Sequence, residues 1–549
     1  MLYITIMLIS LNIKEKTIGT KILYEDFSFS ISENEKVGFI GRNGTGKTSL
    51  FRILDGEDTD FIGNVEIKKN INIIVTKQEY LNDKKTTVLE YILNELPGFV
   101  RLKEIIDTYP ETMGDNLDKI QIYTDAITEF SELGYYNIEE KIIQSLISYK
   151  IDKTKYSMPL IKLSGGEKRF VELVKVMYSK CDIALIDEPT NHMDDTGKQD
   201  FISWLKNTDH SVFVITHDRD VLNYVDKIIE IKDRKALSFI GNYDSYLKQN
   251  SIKNITNIKT YEESVKNMDS LKKQIADIKK RGAHASTRVM YERVEKEYNK
   301  IKDSLEKPSI WIDENSIENS DKKIIEKYEK YKDKNITLNR TETTEQKRVL
   351  LSVHNLSIGY GDEKPLFTNI NFELSHKDRI RIKGRNGAGK TSLIKTIIST
   401  IHSQPLITKI YAGNIEFNQK IVLGIYEQEI NDKYLKMTLE NGISDIYREK
   451  GIEIPNINKI LNDYLFNPSQ DRDLLIEQLS GGQKARFQII KMLLENPNVL
   501  ILDEPTNHLD LPSIEELENS LINFNGAILY VSHDSYFVKK IGGDIIEIV

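Results

Sequence analysis

The chain has 549 residues, 39% hydrophobic and 29% charged, which suits about two to four folded domains and excludes wholesale disorder. Its net charge of −8 argues weakly against a nucleic-acid partner, although a local basic patch can hide inside such a sum. One cysteine, Cys181, excludes an intrachain disulfide and a multi-cysteine zinc site, and fits a reducing cytoplasm.

In chain order, "MLYITIMLISL" lacks a basic leader and a small-residue cleavage site, so it predicts a first core strand rather than a signal peptide. No apolar run reaches the roughly 18–20 residues that span a bilayer. "EKVGFI" (35–40) then predicts a buried strand, "GRNGTGKTSL" (41–50) a glycine loop, and "SLFRILDG" a helix. That order with GxxxxGK[ST] spacing is a P-loop. Gly41, Asn43, Gly44 and Gly46 let backbone N–H groups approach phosphates, and the helix dipole at Lys47, Thr48 and Ser49 adds positive potential. Lys47 should reach β- and γ-phosphates, and the Thr48 hydroxyl should bind Mg²⁺.

Gln78 follows in "TKQE". Residues about 90–150, with "TDAITEFSELG" and "IEEKIIQSLISYK", predict a helical arm. "LSGGEKRF" (163–170) sets Ser164, Gly165 and Gly166 at a helix start, a second anion cradle. "DIALIDEPT" is an apolar run ending in acid, as a buried parallel strand would be. Cys181 reads as a small buried residue entering it. The strand's C-terminal end would present Asp187 to Mg²⁺ and Glu188 to an attacking water. His217 follows another apolar strand, "SVFVIT", where it can sense a γ-phosphate.

The middle of the chain changes character. Ile255, Ile258, Val265, Met268, Leu271, Ile275 and Ile278 keep a 3-4 rhythm, with Tyr261 and Glu262 in the early turn. "RGAHAS" (281–286) breaks it, Tyr291, Val294, Tyr298, Ile301 and Leu305 resume it, and Pro308 stops it. An antiparallel hairpin is expected, its first arm roughly 55 Å long. Its tip carries Lys272, Lys273, Lys279, Lys280, Arg281 and Arg288 against Asp277 alone, with His284 at the turn. A basic tip on an acidic body suits RNA phosphate; a solvated spacer between domains is the alternative. Residues 309–347 predict a short charged helix, with Trp311 a packing anchor.

The motifs then recur. "DRIRIK" and "GRNGAGKTSL" bring Gly384, Asn386, Gly387, Gly389, Lys390, Thr391 and Ser392; "YEQE" brings Gln428; "LSGGQKARF" brings Ser480, Gly481 and Gly482; "NVLILDEPT" brings Asp503 and Glu504; "AILYVS" leads to His533. Ser164 and Ser480 are 316 positions apart, as are Asp187 and Asp503, and His217 and His533. Gln78 to Ser164 spans 86 positions and Gln428 to Ser480 spans 52, so the first half holds 34 extra residues, assigned to the arm. The expected organisation is α/β: a cassette at 1–243, a charged helical linker at 244–347 and a second cassette at 348–549.

These ordered motifs resemble the ATP-binding cassette family. "EPTNHMD" and "EPTNHLD", two cassettes on one chain and the charged linker are most similar to its ABC-F subfamily. The resemblance implies two tandem P-loop ATPase domains joined by a coiled-coil hairpin. It also implies composite sites, with Ser164–Gly166 covering the nucleotide held by Lys390 and Ser480–Gly482 that held by Lys47. Glu188, Glu504, His217 and His533 would be catalytic. Thr48, Gln78, Asp187, Thr391, Gln428 and Asp503 would hold Mg²⁺. Tyr360 in "IGYGDEKPLF" matches the family's adenine-stacking aromatic, whereas the first half has Ile18 there. The implied activity is ATP hydrolysis by a cytoplasmic monomer that binds the ribosome when ATP closes the cassettes. The linker tip would point to the peptidyl-site tRNA and peptidyl-transferase centre from the tRNA exit site. Translation regulation or antibiotic-resistance ribosome protection would follow. The rival is the ATPase subunit of a membrane transporter, which needs no basic hairpin between its cassettes.

Overall fold

A computed structural model describes residues 6–548 except 20, 43, 77–85, 192, 281–284, 305–347, 362–363, 428–429, 465, 480 and 508. The chain divides into two compact units, Met1–Ser238 with Ile336–Val549, and Phe239–Asn335.

The first unit contains both cassettes. Cassette one supplies β1 (Met7–Ile18), β2 (Lys21–Ser32), β3 (Lys36–Gly41), β4 (Ile62–Ile67), β5 (Ile73–Val75), β6 (Ile183–Asp187), β7 (Ser211–Ile215), β8 (Lys227–Lys232) and β9 (Lys235–Ile240). They form an antiparallel sheet β2-β1-β4 and a six-stranded sheet β5-β6-β7-β3-β8-β9, parallel from β5 through β8. Cassette two supplies β10 (Val349–Gly359), β11 (Phe367–Ser375), β12 (Arg379–Gly384), β13 (Lys409–Phe417), β14 (Leu423–Tyr426), β15 (Val499–Asp503), β16 (Ala527–Val531) and β17 (Asp544–Ile548). Their orders are β11-β10-β13 and β14-β15-β16-β12-β17.

Register explains why distant motifs meet. Ile215 of β7 pairs with Phe39 of β3 on one side and Asp187 of β6 on the other. The P-loop and the Asp-Glu pair therefore leave the same C-terminal edge, where α/β sheets present ligand-binding groups. Every residue of β6, β7, β15 and β16 is buried, which is why these strands read as unbroken apolar runs. The P-loop helix Lys47–Leu54 packs Leu50, Phe51, Ile53 and Leu54 into a core shared by both sheets, with Phe51 and Phe213 ring centroids 5.5 Å apart. Each such fully buried side chain contributes about 1.5–3 kcal/mol. Cys181 is buried two residues before β6.

Helices Phe99–Thr112, Leu117–Glu132 and Ile138–Ser148 occupy the segment expected to form an arm. Phe99, Phe130 and Tyr135 hold them together through ring contacts of 5.4–5.8 Å.

In the second unit, helices Tyr243–Lys280 and Ala285–Ser304 pack on each other. The first, at 38 residues, is about 57 Å long. Ile278 and Val294 are buried and Lys279 Nζ lies 5.3 Å from the Tyr291 ring centroid, so the two helices run antiparallel at this end. Val265, Met268, Leu271 and Ile275 lie on the less exposed stripe, while Lys272, Lys273, Lys279 and Lys280 are exposed. Arg281, His284, Leu305, Pro308, Trp311 and the helix expected at 309–347 lie outside the described residues, as do the side chains of Ile255, Ile258 and Arg288.

Candidate active sites

In cassette one the loop after β3 turns through Gly44 (φ +77°) and Gly46 (φ +100°). A Cβ on Gly46 would sit 2.8 Å from the Tyr24 hydroxyl, which donates to the Gly46 carbonyl at 2.5 Å. Lys21 donates to the Gly44 carbonyl at 2.9 Å. Lys47 Nζ reaches back to the carbonyls of Gly41 (2.7 Å) and Arg42 (3.3 Å). The Thr48 hydroxyl donates to Asp187 at 3.2 Å, and Arg169 donates to the Asp187 carbonyl at 3.1 Å.

Glu188 has φ +47°, and so does Glu504. A left-handed, non-glycine residue is strained, and its recurrence at both copies marks a constraint on where the carboxylate must point. The turn is anchored by Glu188 N to Ile215 O at 2.8 Å and Glu504 N to Val531 O at 3.0 Å. Each glutamate then faces its histidine: His217 Nε2 lies 3.5 Å from Glu188, and His533 Nε2 3.4 Å from Glu504.

Electrostatics follow from burial. Burial pushes Glu188 up to about 7, with Lys47 opposing and Asp187 adding to the rise. Burial also raises Glu504, against His533 and Lys390. His217 is held well below its ordinary value by burial and by Lys47. Burial lowers Lys47, against Glu188, Asp510 and Asp187; it likewise lowers Lys390, against Glu504 and Asp194. Asp510 and Asp194 each belong to the opposite cassette from the lysine they face.

Cassette two repeats the cradle. Lys390 Nζ donates to Gly384 O (2.8 Å), Arg385 O (3.1 Å) and Asn386 Oδ1 (3.4 Å). Tyr360 and Ser392 share a hydroxyl hydrogen bond of 2.8 Å, which sets the aromatic ring beside the loop. Ile18 instead lines a pocket of about 350 Å³ with Lys21, Leu23, Gly44, Gly46 and Lys47, and offers no ring.

The residues fit Mg²⁺ on chemical grounds. Thr391 hydrogen-bonds Asp503, while Asp503 Oδ1 is buried with no hydrogen-bond partner among the described residues. No cluster of three or more potential protein ligands occurs among the described residues. One carboxylate and one hydroxyl per site, completed by phosphate oxygens and water, is a usual magnesium arrangement.

The cassettes touch through the segment after Asp-Glu. Asp194 caps its helix by accepting from Gly197 N at 3.0 Å, pairs with Lys150, and accepts from Asn386 N of the opposite P-loop at 3.3 Å. Lys150 also donates to Asn386 O at 3.0 Å. A cavity of about 710 Å³ runs between the cassettes, lined by Glu188, His217 and Lys198 from one and Lys390, Glu504 and His533 from the other. Among the described residues, Ser164 and Gly166 do not line it. The Ser164 hydroxyl donates to Glu167 at 2.9 Å in a capping box of its own helix. Gln78, Gln428, Asn43 and Ser480 lie outside the described residues, and Gly481 and Gly482 open the helix Gly481–Leu493. Reading the motifs missed Lys150, Asp194, Asp195 and Lys198; the matched acids Asp194 and Asp510 were the one available signal.

Two glycine cradles with a buried lysine, each served by an Asp-Glu pair and a histidine, define a tandem P-loop nucleoside triphosphatase. The ABC transporter family model matches residues 24–191 and 367–507. The chain belongs to that family of ATP-binding cassette ATPases. It is 28% identical to ABC transporter F family member 5 of Arabidopsis thaliana, over 98% of this chain and 74% of the relative. It is 26% identical to the ribosome protection protein VmlR of Bacillus subtilis, over 98% and 85%. A solved structure of RNase-L Inhibitor superposes with a TM-score of 0.58 at 17% identity, covering 98% of this chain and 87% of the other, a likeness of fold. The cassettes bind and hydrolyse ATP.

Proposed function

We propose that this ATPase binds the ribosome when ATP closes its cassettes and leaves after hydrolysis. The observation that carries this is the helical unit between the cassettes, which exposes Lys272, Lys273, Lys279 and Lys280 at one end. Clustered lysines on a long stem suit RNA phosphate. The name of its relative VmlR points the same way. The tip enters from the tRNA exit site toward the peptidyl tRNA and the peptidyl-transferase centre. The transporter reading is disfavoured because it leaves this hairpin without a task; no described helix is long and apolar enough to cross a membrane.

At each site the P-loop amides and Lys47 or Lys390 bind the β- and γ-phosphates. Thr48 with Asp187, and Thr391 with Asp503, hold Mg²⁺, joined by Gln78 and Gln428. The metal when bound neutralises charge on the phosphate oxygens. Glu188 and Glu504 orient and polarise water, and His217 and His533 contact the γ-phosphate. Ser164–Gly166 and Ser480–Gly482 close over the opposite nucleotide, so its charge ties the halves together. Losing the γ-phosphate frees them.

The test is E188Q/E504Q with ATP and ribosomes. The variant should cosediment with ribosomes and stay there. If it sediments free, or follows membranes instead, the proposal fails.

A further inference from the structure

His533 is gripped by the other cassette at two points. Its Nδ1 lies 2.8 Å from Asp195 Oδ1, and its carbonyl accepts from Lys198 Nζ at 2.7 Å. Asp195 and Lys198 stand one turn apart on the helix Asp195–Asn207. Arg381 steers the other Asp195 oxygen from 3.6 Å and donates to the Ser532 carbonyl at 2.9 Å. Burial pulls the Asp195 carboxyl up, but the His533 hydrogen bond holds it below the usual range. It therefore accepts, which places a proton on Nδ1 and turns Nε2 toward Glu504 and the Lys390 cavity.

His217 has no such grip. With the 316-residue offset, Leu511 and Ile514 stand where Asp195 and Lys198 stand. Neither His217 ring nitrogen has a hydrogen-bond partner among the described residues. Nor is Asp195 needed to start its helix, because Asp194 caps it.

We propose that Asp195 is a positioning residue for His533, so that this cassette contact orders the histidine of the second ATP site and has no counterpart at the first among the described residues. Turnover at the second site then depends on how the cassettes are docked, whereas turnover at the first is blind to this contact. The inference rests on the proposed roles of Glu504 and His533 in the second site.

The test uses purified chain and ATP without ribosomes. E188Q leaves only the second site active and E504Q only the first. Adding D195L to E188Q should lower kcat by about tenfold or more while KM for ATP changes less than about twofold. D195N, whose amide oxygen still accepts from Nδ1–H, should restore part of the loss. D195L in E504Q should change kcat by less than about twofold. Equal losses in both backgrounds, a rise in KM alone, or no loss in E188Q would overturn the inference and leave the ribosome proposal intact. A folded E188Q chain without second-site turnover would overturn both the inference and the roles it builds on.

Discussion

Arg219 of the first cassette and Glu518 of the second form an ion pair in which both side chains are almost fully buried, at 4% and 0% exposure. Arg219 also pairs with Asp534 at 2.8 Å, and Lys540 approaches Glu518 at 3.3 Å. Charges taken out of water stabilise only as a satisfied set. R219A and E518A should each destabilise the chain by up to about 3–5 kcal/mol, tempered by the remaining partners. R219M/E518L should recover much of that loss. Denaturant midpoints of the three variants check this; a double variant as weak as the sum of the singles would contradict it.

Asp194 gives a pH prediction. Burial pulls its carboxyl up, but Lys150, with the N–H groups of Gly197 and Asn386, holds it below the ordinary range. A lowered folded pKa contributes stability that is complete above the unfolded value of about 3.9 and disappears as pH falls through the folded one. K150M removes the first of those supports. Wild type should therefore be the more stable at neutral pH, and the gap should shrink as pH falls below the unfolded value and close once the folded carboxyl is protonated. Urea unfolding across pH 2–7 measures it; a gap independent of pH would exclude this origin.

Gly46 tests the first cradle. At φ +100° an alanine is strained, and its Cβ meets the Tyr24 hydroxyl. G46A should lose ATP at the first site and leave the second, so calorimetric stoichiometry should fall by about half. Unchanged stoichiometry would show that the loop relaxes.

Tyr360 sets a ring beside the second phosphate loop, and Ile18 sets none beside the first. Y360A should weaken ATP binding to the second site about fivefold to a hundredfold, the usual range for losing one stacked base. Y360F should keep most of the affinity, since the ring stays. I18A should change the first site little. Equilibrium binding of labelled ATP to K47A and K390A chains separates the sites. Equal effects of Y360A and I18A would remove the distinction.

Much of this was legible in the sequence because the motifs are local strings. Strand, glycine loop and helix are contiguous at 35–54, and "LIDE" already names a buried strand ending in two acids. The helix start at Ser164 was readable too, and the structure closes it with a Ser164–Glu167 capping box. The contacts between cassettes were not. Asp195 meets His533 across 338 positions, and no periodicity or propensity encodes such a pair. Its own copy is a leucine, so the repeat that revealed the sites conceals the contact that distinguishes them.

The ion pair between the halves also governs which halves can meet. Where the second cassette has Glu518, the first has Ile202; where the first has Arg219, the second has Ser535. Two first cassettes from separate chains would each bring Arg219 to Ile202 in place of Glu518, keeping only Asp218 where Asp534 stands, and two second cassettes would each bring a glutamate facing serine. Divergence after duplication has thus made the surfaces a lock and its key, so that unlike halves answer one another and like halves do not.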